Sequence, residues 1–238
     1  MKGKFSRVLP LGLALICLGA ALLAVGCGSS SSRYRFVQAS TGVPNNGSVD
    51  LEVDGKNVQT SIGFGQSASY HSSSSGSHKF GVFATGTTTN PYVSSSVSLG
   101  SGDTTLLAEN PFASIALAPY KDDNTAPTTG NVKLRIIQAA PTVAASQQGV
   151  DVYVVPTGQG IAGTNPQISN ISYPNASSYL SLSAQSYDVV VTVRGTQNII
   201  NNLTGTYPLT SEQIRTLVIL DAATGGGPYS LLELNDLN

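Results

Sequence analysis

The chain has 238 residues, 40% of them hydrophobic and only 11% charged, with a formal net charge of −1. So much apolar surface with so little charge excludes an intrinsically disordered chain, and without a basic excess nucleic acid is not an expected partner. With 25 Gly, 12 Pro and many β-branched residues between them, the composition favours a turn-rich all-β protein, long enough for two domains of about 100 residues.

Residues 1–26 read as a signal peptide. Lys2, Lys4 and Arg7 make a basic start, and an apolar run follows from Val8 to Val25. The run closes on Leu23-Ala24-Val25-Gly26-Cys27, which resembles a lipobox, the site where signal peptidase II cuts before a lipidated cysteine. Gly26 is small enough for the peptidase pocket, and the Cys27 thiol carries the diacylglycerol; Ala24 stands where Leu is more usual. An ordinary secretory peptide, or a single membrane span of about 18 residues, is the alternative. Cys27 is thus the expected lipidation site and the expected link to a membrane. Residues 27–32, ending in Ser29 to Ser32, read as a flexible tether. Cleavage removes three of the 12 basic residues, so nine remain against 13 acidic ones, a net charge of −4. Cys17 leaves with the peptide and Cys27 is acylated, so no thiol is left for a disulfide or a metal site.

From residue 33 the chain writes one pattern twice. Copy one, 33–118, opens with Tyr34-Arg35-Phe36-Val37-Gln38-Ala39-Ser40, a short apolar strand. Val49 to Val53 follows with strict alternation, placing Asp50 and Glu52 on the face opposite Val49, Leu51 and Val53. Asp54-Gly55 then reads as a hairpin turn. Ser72 to Ser75 reads as a polar loop tip, and strands are expected at Lys79 to Ala84, Tyr92 to Leu99, Thr104 to Glu109 and Ser114 to Ala118. Residues 119–130 are polar, hold Pro119 and Pro127, and read as a linker. Copy two, 131–238, restates the order with Leu134 to Pro141 and then Val150-Asp151-Val152-Tyr153-Val154. Further on, Ile171, Tyr173, Ser178, Tyr179 and Gly195 match Ile62, Phe64, Ser69, Tyr70 and Gly86, with an insertion around Pro156 to Pro166. No stretch keeps a helical period. About seven short strands per copy predict an all-β fold of two tandem immunoglobulin-like antiparallel β-sandwich domains after the lipoprotein signal peptide.

Arg135-Ile136-Ile137-Gln138-Ala139-Ala140-Pro141 with Val150 to Val154, and Asp122-Asp123-Asn124-Thr125-Ala126-Pro127 before them, resemble the bacterial family catalogued as domain of unknown function 4397. The resemblance covers both copies. Copy one departs in having Ser40-Thr41 where the family favours Pro, and Gln38 and Gln138 stand where it usually has His. It implies a β-sandwich-like domain on an exported protein and no particular activity.

The residues that chemistry would need are few. The two histidines, His71 and His78, both lie in copy one, and Leu180 and Tyr187 hold the matching places in copy two. The run Gly65-Gln66-Ser67-Ala68-Ser69 lacks the last glycine of a nucleophile elbow. Asp50, Glu52 and Asp54 read as a solvated strand face rather than a carboxylate pair for glycoside hydrolysis, and Asp122, Asp123 and Asn124 as linker rather than calcium ligands. Arg35 with Asp50, and Arg135 with Asp151, recur at matching places and are expected as cross-strand pairs, with a ligand site as the alternative. No Trp is present to form a sugar platform, although there are 10 Tyr. The expectation is therefore a non-enzyme with no catalytic, metal or cofactor site, lipid-anchored at Cys27 to the outer membrane or cell surface. It would act as a structural, adhesive or ligand-binding module toward an unidentified protein or polysaccharide. An inward-facing periplasmic binding or assembly subunit is the alternative, and a hydrolase with a carboxylate site the third reading.

Overall fold

The computed structural model describes residue 3 and residues 31–143 and 148–236. The signal-peptide run and Cys27 lie outside the described residues. No helix among the described residues is long and apolar enough to cross a membrane.

The all-β expectation is met by four sheets, two for each copy. In copy one, β4 (His71–Ser74), β1 (Ser31–Gln38), β7 (Gly102–Glu109) and β8 (Ala116–Lys121) form one sheet in that order. The second sheet is β3 (Lys56–Ile62), β2 (Val49–Val53), β5 (Gly76–Ala84) and β6 (Val93–Leu99). Copy two repeats both. One of its sheets is β12 (Asn175–Ala176) and β13 (Leu180–Ser183) on a shared edge, then β9 (Asn131–Gln138), β16 (Ile214–Leu220) and β17 (Ser230–Asn235). The other is β11 (Ile168–Ile171), β10 (Val150–Pro156), β14 (Ser186–Val193) and β15 (Ile199–Pro208).

Alternation explains each sandwich. On β2, Val49, Leu51 and Val53 point into a core with Phe36, Phe80, Val82 and Leu106. On β10, Val150, Val152 and Val154 do the same with Leu134, Ile136, Val189 and Leu217. The first strand of each copy shows no such alternation of polarity, because both its faces are covered. Tyr34 and Phe36 face inward, while Val37 and Ala39 face outward into a third cluster. That third cluster joins the copies: Val37, Ala39 and Leu107 from copy one pack with Ile137, Ala139, Val218, Leu220 and Leu234 from copy two.

Several details depart from the sequence reading. The sheets are not wholly antiparallel, since β1 pairs in parallel with β7, and β9 with β16. The chain leaves β1 for the opposite sheet, so the neighbour of β1 is a late strand entering from the same end and not a hairpin partner. Ser72 to Ser74 belong to β4, where they pair with Ser31 to Arg33 and give the sheet a polar edge. Ser31 and Ser32 are therefore strand rather than tether. Strand β8 runs through Lys121, three residues into the segment read as linker. The insertion in copy two is the loop 157–167 between β10 and β11, where copy one turns on Asp54-Gly55 alone.

Candidate functional site

The expected pairs Arg35–Asp50 and Arg135–Asp151 are not formed. Each arginine lies on one sheet of its sandwich and each aspartate on the other. The arginines point toward the other copy, the aspartates away from it.

Asp50 and Asp151 are not on a solvated face either; both are buried. Asp50 accepts hydrogen bonds from the Ser61 and Gly86 backbone N–H groups, both at 2.8 Å. Asp151 accepts from Asn170 and Gly195, both at 2.7 Å. The glycines hold positive φ, +80° and +70°, where a side chain would strain the turn. These aspartates fasten the turn that follows β5 and β14 to the β2–β3 and β10–β11 bulges, which is a structural task.

The arginines, 2% exposed each, are the centre of a buried polar site. On β1, Arg35 Nε donates to Thr105 Oγ1 at 2.8 Å, Nη1 donates to the Asn235 carbonyl at 2.8 Å, and Nη2 pairs with Asp236. On β9, Arg135 makes the same set with the copies exchanged: Nε to Thr216 Oγ1 at 3.1 Å, Nη1 to the Lys121 carbonyl at 2.9 Å, and Nη2 to Asp122 at 2.5 Å. Tyr70 lies under the Arg35 guanidinium, 4.8 Å from the ring centre, and its hydroxyl donates to Asp122 at 2.6 Å. Tyr179 lies under Arg135 at 4.7 Å and donates to Asp236 at 2.7 Å. The six side chains close a ring: Arg35, Asp236, Tyr179, Arg135, Asp122, Tyr70 and back to Arg35. A pseudo-twofold axis runs through it. Burial foremost, then the adjacent carboxylates, push both tyrosine hydroxyls far above their ordinary range, so both stay protonated donors. Thr105 and Thr216 hydroxyls give each carboxylate a further donor.

The strands position the tyrosines by breaking off at a bulge. Ser177 donates its backbone N–H to Ile136, and pairing with β9 resumes only at Leu180. Ala68 donates to Phe36 before β4 begins at His71. The unpaired residues between them swing Tyr179 and Tyr70 over the arginines. Each bulge leaves a concavity beside the ring. The one of about 340 Å³ is bordered by Tyr120, Arg135, Ser177, Ser178 and Tyr179. Its smaller counterpart, about 180 Å³, is bordered by Arg35, Ser67, Ser69, Tyr70 and Asn235.

The two other candidates resolve locally. Asp122, Asp123 and Asn124 do not converge: Asp122 is in the ring, Asp123 binds Lys133 Nζ at 2.7 Å, and Asn124 Nδ2 bridges Asp103 and the Asp236 carbonyl. No group of three metal-ligating residues occurs among the described residues. His78 stands between Asp54 and two serines, an arrangement that invites comparison with a catalytic triad. Its Nδ1 is 2.7 Å from Asp54 Oδ2, but its Nε2 is closest to the Ser74 carbonyl, at 3.0 Å, with the Ser73 and Ser74 hydroxyls at 3.3 and 3.4 Å. The Asp54 carboxylate on one nitrogen, and the Ser74 carbonyl with two serine hydroxyls on the other, tie the ring to both turns. The bond to Asp54 leads in holding the His78 pKa above its ordinary value. His78 thus pins the turn at Asp54 to the turn after Ser74.

Asp236, Thr105, Thr216 and Glu109 escape a sequence reading. One signal was present: Asp122 and Asp236 each follow directly on the last strand of their copy.

A tandem pair of β-sandwiches, closed face to face by a buried Arg–Asp–Tyr ring, is the class of protein that fold and site define. The chain belongs to the family described as Domain of unknown function (DUF4397), whose model matches residues 32–153, more than half of its length. That match takes in the first sandwich, β9 and most of β10. Among solved structures, the Bacillus anthracis TIE protein is similar at 9% identity with a TM-score of 0.26, over 85% of this chain and 34% of that one. A leucine-rich repeat protein from Bacteroides thetaiotaomicron is similar at 12% identity with a TM-score of 0.24, over 84% and 27% of the two chains. The chain thus spans about a third or less of either. No curated protein matches it.

Proposed function

We propose that this chain is a lipid-anchored envelope protein that works as a non-catalytic structural, adhesive or ligand-binding module. The observation that carries the proposal is the ring. The most deeply buried arginines and carboxylates at the joint hold one another, in matched sets, across the two copies. Such a joint makes two sandwiches into one rigid piece and presents their surface loops at a fixed separation. The lipobox-like Gly26-Cys27 supplies the anchor. Mass spectrometry of the membrane fraction should find acylated Cys27 as the first residue, and Cys27→Ser should release the chain to the soluble fraction. A soluble wild-type chain cleaved elsewhere would sink the anchor. Turnover lost on changing any carboxylate, with folding intact, would sink the non-catalytic reading.

The concavity beside Arg135 favours a second reading, a binding subunit that carries a small ligand at the seam between its copies. A mass that copurifies with the chain and is lost in Ser178→Trp, which fills the concavity, is the expected sign; no such mass in either would remove this reading.

A further inference from the structure

The seam between the copies is symmetric at the ring and asymmetric at the ends, and the asymmetry is matched. Strand register equates Glu109 with Leu220, because Leu107 pairs with Val37 as Val218 pairs with Ile137. It likewise equates Tyr120 with Leu234, opposite Thr105 and Thr216. Phe64 corresponds to Tyr173 in the duplication. At one end of the seam Phe64 packs on the cluster that holds Leu220 and Leu234, so apolar side chains from both copies meet there. At the other end buried Glu109 accepts the Tyr120 hydroxyl hydrogen bond at 3.0 Å, and Tyr173 reaches across from copy two to donate its hydroxyl to Asn110. Apolar meets apolar, and polar meets polar.

We infer that Glu109 and Tyr173, set against Phe64 and Leu220, make copy one select copy two and reject another copy one. The ring cannot do this, since Arg35 would find Asp122 of a second copy one just as it finds Asp236 here. The ends can. Two copies of copy one placed about the same axis would set Phe64, in place of Tyr173, against the Glu109–Asn110 end twice, and each Asn110 would lose the hydroxyl that Tyr173 donates to it. Excluding that pair is sufficient, because every pair of two copies two strands two copies one. Discrimination of this kind rests on the mismatch built against the wrong partner. Where identical chains meet, it keeps each joint within its own chain, together with the high effective concentration that the connecting segment provides.

The test uses the full chain with a protease site inserted between Thr125 and Ala126, both exposed, and cut after folding. Two batches of different isotopic mass are cut, mixed and followed by native mass spectrometry. Unlike halves should stay together one to one, exchanging isotopes over time without forming like pairs. Glu109→Leu with Tyr173→Phe makes both ends apolar, and like pairs should then rise by about tenfold or more, the scale of one buried polar mismatch. Leu220→Glu sets a carboxyl against Phe64 in the unlike pair and should weaken that pair by a similar factor. Circular dichroism before cutting shows that each variant has folded, and Tyr173→Phe alone serves if the double variant has not. Like pairs in statistical proportion from the unsubstituted chain would overturn the inference. So would halves that separate without re-pairing, or folded variants whose pairing matches the unsubstituted chain.

Discussion

The two faces of each sandwich differ in how closely one copy matches the other. In the ring at the centre of the faces that meet, the copies agree residue for residue: Arg35 and Arg135, Thr105 and Thr216, Tyr70 and Tyr179, Asp122 and Asp236. On the faces turned outward they have parted. Copy one has Glu52, Lys79 and Gly81 beside Phe83 there, and copy two has Val155, Asp188, Val190 and Thr192. The His78–Asp54 pin belongs to copy one alone and the loop 157–167 to copy two alone. Where a side chain meets water its replacement leaves no partner behind, whereas in the ring replacing one member orphans a buried charge in the other copy.

The strongest way to break this comparison is at the ring. Asp122→Ala and Asp236→Ala each leave a buried guanidinium without its carboxylate, and each should cost about 3–5 kcal/mol in denaturant unfolding. The costs should be alike; a large difference between them would mean that the two halves of the ring are not equivalent. Next come the turn-fastening aspartates on the opposite sheets. Asp50→Ala and Asp151→Ala each orphan two backbone N–H groups and should cost about 2–3 kcal/mol, without loosening the joint between the copies. Heightened hydrogen exchange at β2–β3 or β10–β11, and none at β1 or β9, is the expected pattern.

Two smaller effects sharpen the places where the copies differ. Burial raises the Glu109 pKa, and the Tyr120 hydrogen bond offsets this only in part. A carboxyl raised in the folded state contributes stability that is full below its unfolded pKa, about 4.3, and is lost as pH rises through the folded value. Unfolding midpoints should therefore fall over that window in the wild type and stay flatter in Glu109→Gln. The smallest effect is at His78, whose pKa is raised by Asp54 and whose contribution is likewise lost as pH climbs above about 6.5. Both partners are near solvent, so global stability should barely respond. The imidazole NMR shift should instead titrate above the ordinary histidine range in the wild type, and return to it in Asp54→Asn.

Much of the fold was legible because its signals are local. The alternation of Val49 to Val53, the Asp54-Gly55 turn and the recurrence of Tyr70 as Tyr179 all lie within short windows. The site was legible only in its parts. Arg35 and Arg135 stood out as repeated residues, yet their partners, Asp236 and Asp122, come from the ends of the opposite copies, beyond any local pattern. Asp122 looked like linker because it stands among polar residues, and only packing of one sheet on another makes it core. Asp50 and Asp151 were misread for a related reason: a charge on an outward strand face looks solvated until a neighbouring turn folds over it.

The placement of β1 has a mechanical meaning. It is an inner strand, flanked by β4 on one side and parallel β7 on the other, and it is the first strand of the first sandwich. A pull on the chain ahead of Ser31 acts along the axis of β1. It loads the bonds from Ser31 to Gln38 in shear, all at once, instead of peeling them apart one after another. Arg35 in the middle of that strand is clamped to Asp236, so the same pull is passed directly into copy two. Under the proposed anchor at Cys27, such a joint would let the chain be tugged without unravelling.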